Sequence, residues 1–262
     1  TTVSGGVTSD AQQNTVGGTN AGDSFSGTSA QGNTLLGYDA GTAITNADYN
    51  TAIGGNALKA CNAGSNTAVG YDSLLKSTNA DYNTAVGRGS LRETIGGVKN
   101  TAVGYNALNA TTADYNVAVG YIALQATTGS RNVAIGCMAA YDTRAANDNI
   151  AMGYQSLYGN QAGQYNISIG TDSLLSCNES NNVAIGLQAL EANTTGAYNI
   201  AIGNHSLDVA TTAQYNIGIG YNAGTTMTSG AQNVVIGGNA GHYITSGGGN
   251  ICTVSYTHLT LP

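Results

Sequence analysis

The chain has 262 residues, with 38 Gly, one Pro, no Trp, one Phe, only 8% charged residues and a net charge of −7 from scattered acids. That balance disfavours nucleic acid and anionic membranes as partners, and no apolar run is long enough to span a bilayer. So few charges leave Asn, Thr, Ser, Gln and Gly to build the solvent face, which suits an extracellular, cell-surface or virion-borne structural segment better than a cytosolic enzyme.

Residues 1–32 hold one imperfect repeat phrase, Asn14-Thr-Val-Gly-Gly18, and the only Phe, Phe25. They read as an irregular segment or a degenerate first coil. Across residues 33–253 the phrase Asn-x-small-(Val/Ile)-Gly then recurs thirteen times, from Asn33 through Asn50, Asn66, Asn83, Asn100, Asn116, Asn132, Asn149, Asn166, Asn182, Asn199, Asn216 and Asn233, in steps of 16 or 17 residues. A unit this short cannot bury its apolar face alone, so the period predicts an all-β parallel β-solenoid, a β-roll with one coil per repeat. Stacked at ~4.8 Å per coil, the repeats predict a rod about 60 Å long. A fourteenth unit opens at Asn250, and the pattern stops. Residues 254–262 contain the only Pro and resemble a translated sequencing-library adapter, so they are read as a non-native tail and further modules are expected beyond both ends.

Within a repeat, Asn is position zero. Position one is Thr in the first five coils (Thr34, Thr51, Thr67, Thr84, Thr101) and Val or Ile from Val117 onward. Position three is aliphatic or Met, as in Ile53, Val86, Met152 and Ile219, and the β-branched alternation predicts a strand. Positions one and three share one side and position two, mostly Ala, the other. The larger residues are expected to point inward, which buries Val86, Val119, Ile169 and Ile202. Gly at position four in all thirteen units is expected to make the corner, and a second short strand is expected around Ala-Leu or Ser-Leu, as at Ala57-Leu58, Ser73-Leu74 and Ala189-Leu190.

If the Asn side chains stack coil upon coil, they form a hydrogen-bonded ladder, a structural role expected of Asn50, Asn66, Asn83, Asn100, Asn116, Asn132, Asn149, Asn166, Asn182, Asn199, Asn216 and Asn233. Tyr precedes the Asn at Tyr49, Tyr82, Tyr115, Tyr165, Tyr198 and Tyr215, and follows the Gly at Tyr38, Tyr71, Tyr105, Tyr121, Tyr154 and Tyr221. Packing over coil corners accounts for both columns. The second set is the candidate receptor or glycan contact, because each ring offers an apolar face and a polar tip. With three large inward side chains per coil, a single solenoid looks thin. The Ala column at position two (Ala52, Ala68, Ala85, Ala102, Ala118, Ala134, Ala151, Ala184, Ala201) is therefore expected to face outward and pack chain against chain as a homotrimer.

Catalytic, metal and cofactor chemistry is not expected. Outside the tail only His205 and His242 remain, more than two coils apart, and no phosphate loop or calcium nonapeptide occurs. Cys61 and Cys177 share a column but lie seven coils apart, about 34 Å at the strand spacing and beyond disulfide reach, so lone thiols are expected.

The phrases Asn132-Val-Ala-Ile-Gly136, Asn182-Val-Ala-Ile-Gly186 and Asn199-Ile-Ala-Ile-Gly203 resemble head repeats of trimeric autotransporter adhesins, the YadA-like family, and repeats of bacteriophage tail fibres. The resemblance covers residues 33–253 and implies a trimeric parallel β-roll that holds or presents a host-binding surface, with a host receptor or glycan as partner. The period here is longer than the roughly fourteen residues usual in those heads, and no stalk, membrane anchor or fibre chaperone module is visible. Composition and resemblance together favour a structural or adhesive segment of an attachment fibre. An ice-binding solenoid using the Thr column is the alternative, weakened because that column turns to Val and Ile as a buried one would. A polysaccharide-degrading tailspike would need a carboxylate pair on adjacent coils, and the sparse acids supply none.

Overall fold

The structure, a computed structural model, describes residues 6–25 and 29–254. Residues 255–262, nearly all of the expected non-native tail, lie outside the described residues. The chain divides into two compact units, Thr1–Arg131 and Asn132–Pro262, and each is a parallel β-solenoid with no helix among its described residues.

In the N-terminal unit the strands Thr15–Gly17, Thr34–Leu36, Thr51–Ile53, Thr67–Val69, Thr84–Val86, Thr101–Val103 and Val117–Val119 stack in sequence order, each parallel to the next and in register at equivalent repeat positions. The imperfect phrase at Asn14 is thus a stacked coil. Thr8–Ser9 folds back antiparallel on Thr15–Gly17, which covers the first strand's open edge. In the C-terminal unit Val133–Ile135, Ile150–Met152, Ile167–Ile169, Val183–Ile185, Ile200–Ile202, Ile217–Ile219, Val234–Ile236 and Ile251–Cys252 stack the same way.

The direction of the strand side chains is the reverse of that expected. The Ala column at position two is fully buried, Ala118 included, whereas Val86 and Ile202 are each 37% exposed and Val119 and Ile169 are half-buried. Position two faces the inside of its own coil, so it cannot be the contact between chains. The cause is volume. The interior is filled from the opposite wall by a column of buried Leu, including Leu58, Leu74, Leu91, Leu108 and Leu207, which leaves room for only a small residue on the strand. A Cβ added at Gly218, a position-two residue, would stand 2.7 Å from Leu207 Cγ. Where the strand residue is large, the wall residue shrinks: Leu35 is paired with Gly41, whose added Cβ would lie 2.7 Å from Leu35 Cδ2, and Val235 is paired with Gly241 at 2.8 Å.

The expected second strand at Ala-Leu is also absent. That segment is a turn in which alternate residues are left-handed, for example Asp72 (φ 57°) and Leu74 (φ 49°). A β-branched or bulky residue resists that region at a cost of ~1–2 kcal/mol. Here the alternation aims successive N–H groups up and down the stack: Asp72 N–H donates to Gly55 O of the preceding coil and Leu74 N–H to Ser90 O of the following one, both at 3.0 Å. Burial of the Leu and these two bonds offset the strain. The only strand pair outside the main stack among the described residues of this unit is Ala110–Thr111 with Ala126–Thr127, on the return segment.

The position-four Gly forms the corner, as expected, at φ of 126° for Gly87 and 129° for Gly54. A side chain is excluded there by the next coil as well as by φ, because a Cβ at Gly87 would stand 2.5 Å from Gly104 O.

Candidate functional site

Three surface and near-surface columns run along the stack in each unit. The first is the outward sheet face made by positions one and three. In the N-terminal unit it is mixed: half-buried Thr34, Thr51, Thr67, Thr84 and Thr101 stand beside Leu36, Ile53, Val69, Val86 and Val103, of which Ile53 is 40% exposed. In the C-terminal unit both columns are aliphatic apart from Met152, from Val133 and Ile135 to Val234 and Ile236. Parallel pairing in register keeps like beside like, as with Ile150 against Ile167 and Ile202 against Ile219. Seven coils at ~4.8 Å and two columns ~7 Å apart make this face roughly 29 by 12 Å, on the order of 350 Å², comparable to the largest apolar patch of a typical monomer, which is often functional.

The second column is Asn. It is buried, and its bonding differs from a simple amide-to-amide ladder. Each Oδ1 accepts the backbone N–H of the Asn one coil on: Asn66 N–H to Asn50 Oδ1 at 3.0 Å, Asn83 to Asn66 at 2.9 Å, Asn100 to Asn83 at 2.8 Å and Asn116 to Asn100 at 2.8 Å. The C-terminal unit repeats this from Asn149 on Asn132 at 3.1 Å, through Asn166, Asn182, Asn199 and Asn216, to Asn233 on Asn216 at 3.0 Å. In most coils the Nδ2 then donates to a carbonyl on a return segment, as from Asn83 to Gly97 O at 3.0 Å and from Asn199 to Ala213 O at 2.7 Å, whereas Asn50 Nδ2 is buried without a partner. Amide-to-amide bonds are added in places, such as Asn216 Nδ2 to Asn199 Oδ1 at 3.2 Å. One Asn therefore ties strand start, next coil and return segment together. With both ends engaged in the interior, little of it remains for a ligand.

The third set is Tyr. Tyr38, Tyr71, Tyr105, Tyr121, Tyr154 and Tyr221 are all exposed, from 39% at Tyr105 to 58% at Tyr38 and Tyr221. The column before the Asn is exposed too, from Tyr49 at 66% to Tyr115 at 51%. Where neighbours both carry Tyr the rings stack: Tyr105 on Tyr121 at 5.4 Å and Tyr198 on Tyr215 at 5.0 Å between centroids. A further stacked pair, Tyr141 on Tyr158 at 5.0 Å, lies five residues past the corner Gly. Counting columns from Gly136 and Gly153 would have revealed it.

The remaining reactive groups are dispersed. All four Cys are free, and burial pushes the thiols of Cys61 and Cys177 up to about 11, which makes them poor nucleophiles. His205 Nδ1 stands 3.8 Å from Asp208 Oδ2, a pairing three residues apart that the repeat pattern does not announce, and burial raises the Asp208 carboxyl. No group of three or more His, Cys, Asp or Glu able to hold a metal ion occurs among the described residues.

Comparison with protein-family models, with curated proteins and with solved structures found no match to this chain.

Proposed function

We propose that the chain is a structural and adhesive segment of an extracellular or virion-borne attachment fibre, with three copies packed through the aliphatic sheet face of the C-terminal unit and the Tyr columns left to meet a host glycan or receptor. The observation that carries this reading is the outward aliphatic face itself. A lone soluble solenoid gains nothing from presenting Val and Ile in register over seven coils, whereas burial between chains returns the hydrophobic free energy of that surface. It replaces the small-residue contact expected from the sequence, since those Ala residues are consumed inside the coil.

Fluorescent beads coated with the protein and allowed to settle on cells or on immobilised glycans test the adhesive half. Replacing Tyr105, Tyr121 and Tyr154 together by Ser is expected to lower retention, while replacing the exposed Thr128 by Ser leaves it unchanged. Equal, background-level retention of every protein on all surfaces would remove the adhesive reading.

The outward position of the Thr column supports one second reading. The objection that it behaves as a buried column does not hold, because Thr34 through Thr101 face solvent at one-coil intervals. Thermal hysteresis by the purified protein would favour an ice-binding surface in the N-terminal unit; its absence would leave the fibre reading alone.

A further inference from the structure

One coil of the N-terminal unit departs from its neighbours. Two residues past the corner Gly, successive coils carry Asn20, Asp39, Asn56, Asp72 and, later, Asn106, whereas the coil of Asn83 carries Gly89. The position is left-handed at φ 67°, and a Cβ there would come within 2.2 Å of Asn106 Oδ1. That space is taken by the Asn106 amide, and beside it lies a cavity of about 320 Å³ lined by Asp72, Arg88, Gly89, Arg92, Tyr105, Asn106 and Asn109.

The same coil also breaks the Tyr column. Arg88 takes the place held by Tyr71 and Tyr105 on either side, and its guanidinium lies 6.0 Å from the first ring and 5.7 Å from the second. The two rings hold the cation without neutralising it. Arg88 is exposed and has no carboxylate partner among the described residues, whereas Arg92 is occupied by Asp72 Oδ2 at 3.4 Å and Glu93 Oε1 at 3.1 Å. Around this free cation the polar groups are fixed. Asp72 accepts from Asn56 Nδ2 at 2.9 Å, and Asn109 Nδ2 donates to Gly89 O at 3.0 Å and lies 3.4 Å from Asn106 Oδ1. Five of the chain's seven Lys and Arg fall between residues 59 and 99, so this is the least acidic part of an acidic chain.

An unpaired guanidinium, the exposed edge of a Tyr ring whose faces are covered by Arg88 and Tyr121, an amide donor and a carboxylate acceptor converge on a space large enough for one sugar ring. We infer that this cavity binds a single carboxylate-bearing sugar unit of a glycan. Arg88 takes the sugar carboxylate in a two-point, charge-assisted pair, the Tyr105 ring edge and hydroxyl flank the sugar, and the Asn106 amide and Asp72 carboxylate engage hydroxyls. The inference rests on the adhesive reading above and narrows its ligand to an acidic glycan, at one coil of the stack.

Ligand-observed NMR titration of the full chain tests it with matched pairs of probes: oligogalacturonate against its methyl ester, and sialyllactose against lactose. Each acid is expected to bind roughly tenfold more tightly than its neutral partner, as one charge-assisted pair provides. Arg88→Gln should bring the acids down to the neutral level with an unchanged melting temperature, and Arg144→Gln should change nothing. Raising the salt concentration should weaken only the acids. Equal binding of acid and neutral probes, or full retention of the preference in Arg88→Gln, overturns the inference. A sulfated sugar that binds while both carboxylated probes fail overturns it too. If bead retention persists in any of these cases, the adhesive reading survives; if no probe binds and no retention is seen, both fall together.

Discussion

Replacing Ala52 by Leu, and separately Leu58 by Gly, probes which way the strand faces. Both side chains are fully buried, on opposite walls of one coil. In the coil before, the same two places hold Leu35 and Gly41, and Gly41 has no room for a Cβ because Leu35 fills the space. The double variant therefore copies an arrangement that the chain already uses. It sets the larger strand side chain opposite a Gly at position 58, where the backbone is left-handed already, at φ 53°. Alone, Ala52→Leu overfills the coil and should cost about 1–3 kcal/mol. Alone, Leu58→Gly leaves a cavity worth ~3–5 kcal/mol, less ~1–2 kcal/mol for relief of a left-handed Leu. Independent effects would sum to roughly 2–7 kcal/mol, but if the residues share one space the pair should recover ~1–3 kcal/mol as coupling. Urea unfolding monitored by circular dichroism gives the four free energies. Additivity within ~0.5 kcal/mol, or a neutral Ala52→Leu, would refute the inward assignment of position two.

Asn100→Ala removes the acceptor of Asn116 N–H and one of the two donors to Ala113 O, which keeps the Thr111 hydroxyl at 3.4 Å; a loss of roughly 1–3 kcal/mol is expected, with faster amide exchange at Asn116. Ile169→Ala should cost less than a core truncation, under about 1.5 kcal/mol in the separated chain, because the residue is half-buried on the outward face. On acidification, Asp39, held low by Lys59 and then Asn20, and Asp10, held low by Asn14, contribute stability above the ordinary carboxyl value of 3.8 that is lost as pH falls through their lower folded values. Asp39→Asn should flatten that acid limb of a melting-temperature profile. Asp208, raised by burial, acts in the opposite sense, its contribution being full below 3.8 and lost as pH rises, so Asp208→Asn should not destabilise at neutral pH. Ellman's reagent should label the half-buried Cys137 and Cys252 in the native protein and reach Cys61 and Cys177 only on unfolding.

The period alone is enough to read one coil per repeat, the strand at positions one to three and the corner Gly, since each follows from spacing and side-chain type at a single column. The direction of the strand requires two columns read together. Judged singly, Val and Ile look like the core and Ala like a contact. Judged in pairs, Leu35 with Gly41 and Val235 with Gly241, against Ala52 with Leu58, show that a large residue at position two goes with Gly on the wall, as an inward position two requires. The Ala-Leu turn is not legible because left-handed φ at Leu runs against its intrinsic preference, and the stack imposes it through hydrogen bonds that no single repeat contains. The cavity at Gly89 is visible in the sequence only as a gap, a Gly in an Asx column beside an Arg in a Tyr column. Its lining becomes a site once neighbouring coils are placed above and below.

Light scattering on the intact chain tests the self-association on which the fibre reading depends, with Ile185→Lys as the decisive variant because it sets a charge in the middle of the aliphatic face without touching the coil interior. The wild-type chain should scatter as three copies, and Ile185→Lys as one copy with an unchanged far-ultraviolet circular dichroism spectrum, since burying an unpaired ammonium between chains is strongly unfavourable. A wild-type chain that runs as a single folded copy, or a variant that keeps the threefold mass, would contradict it.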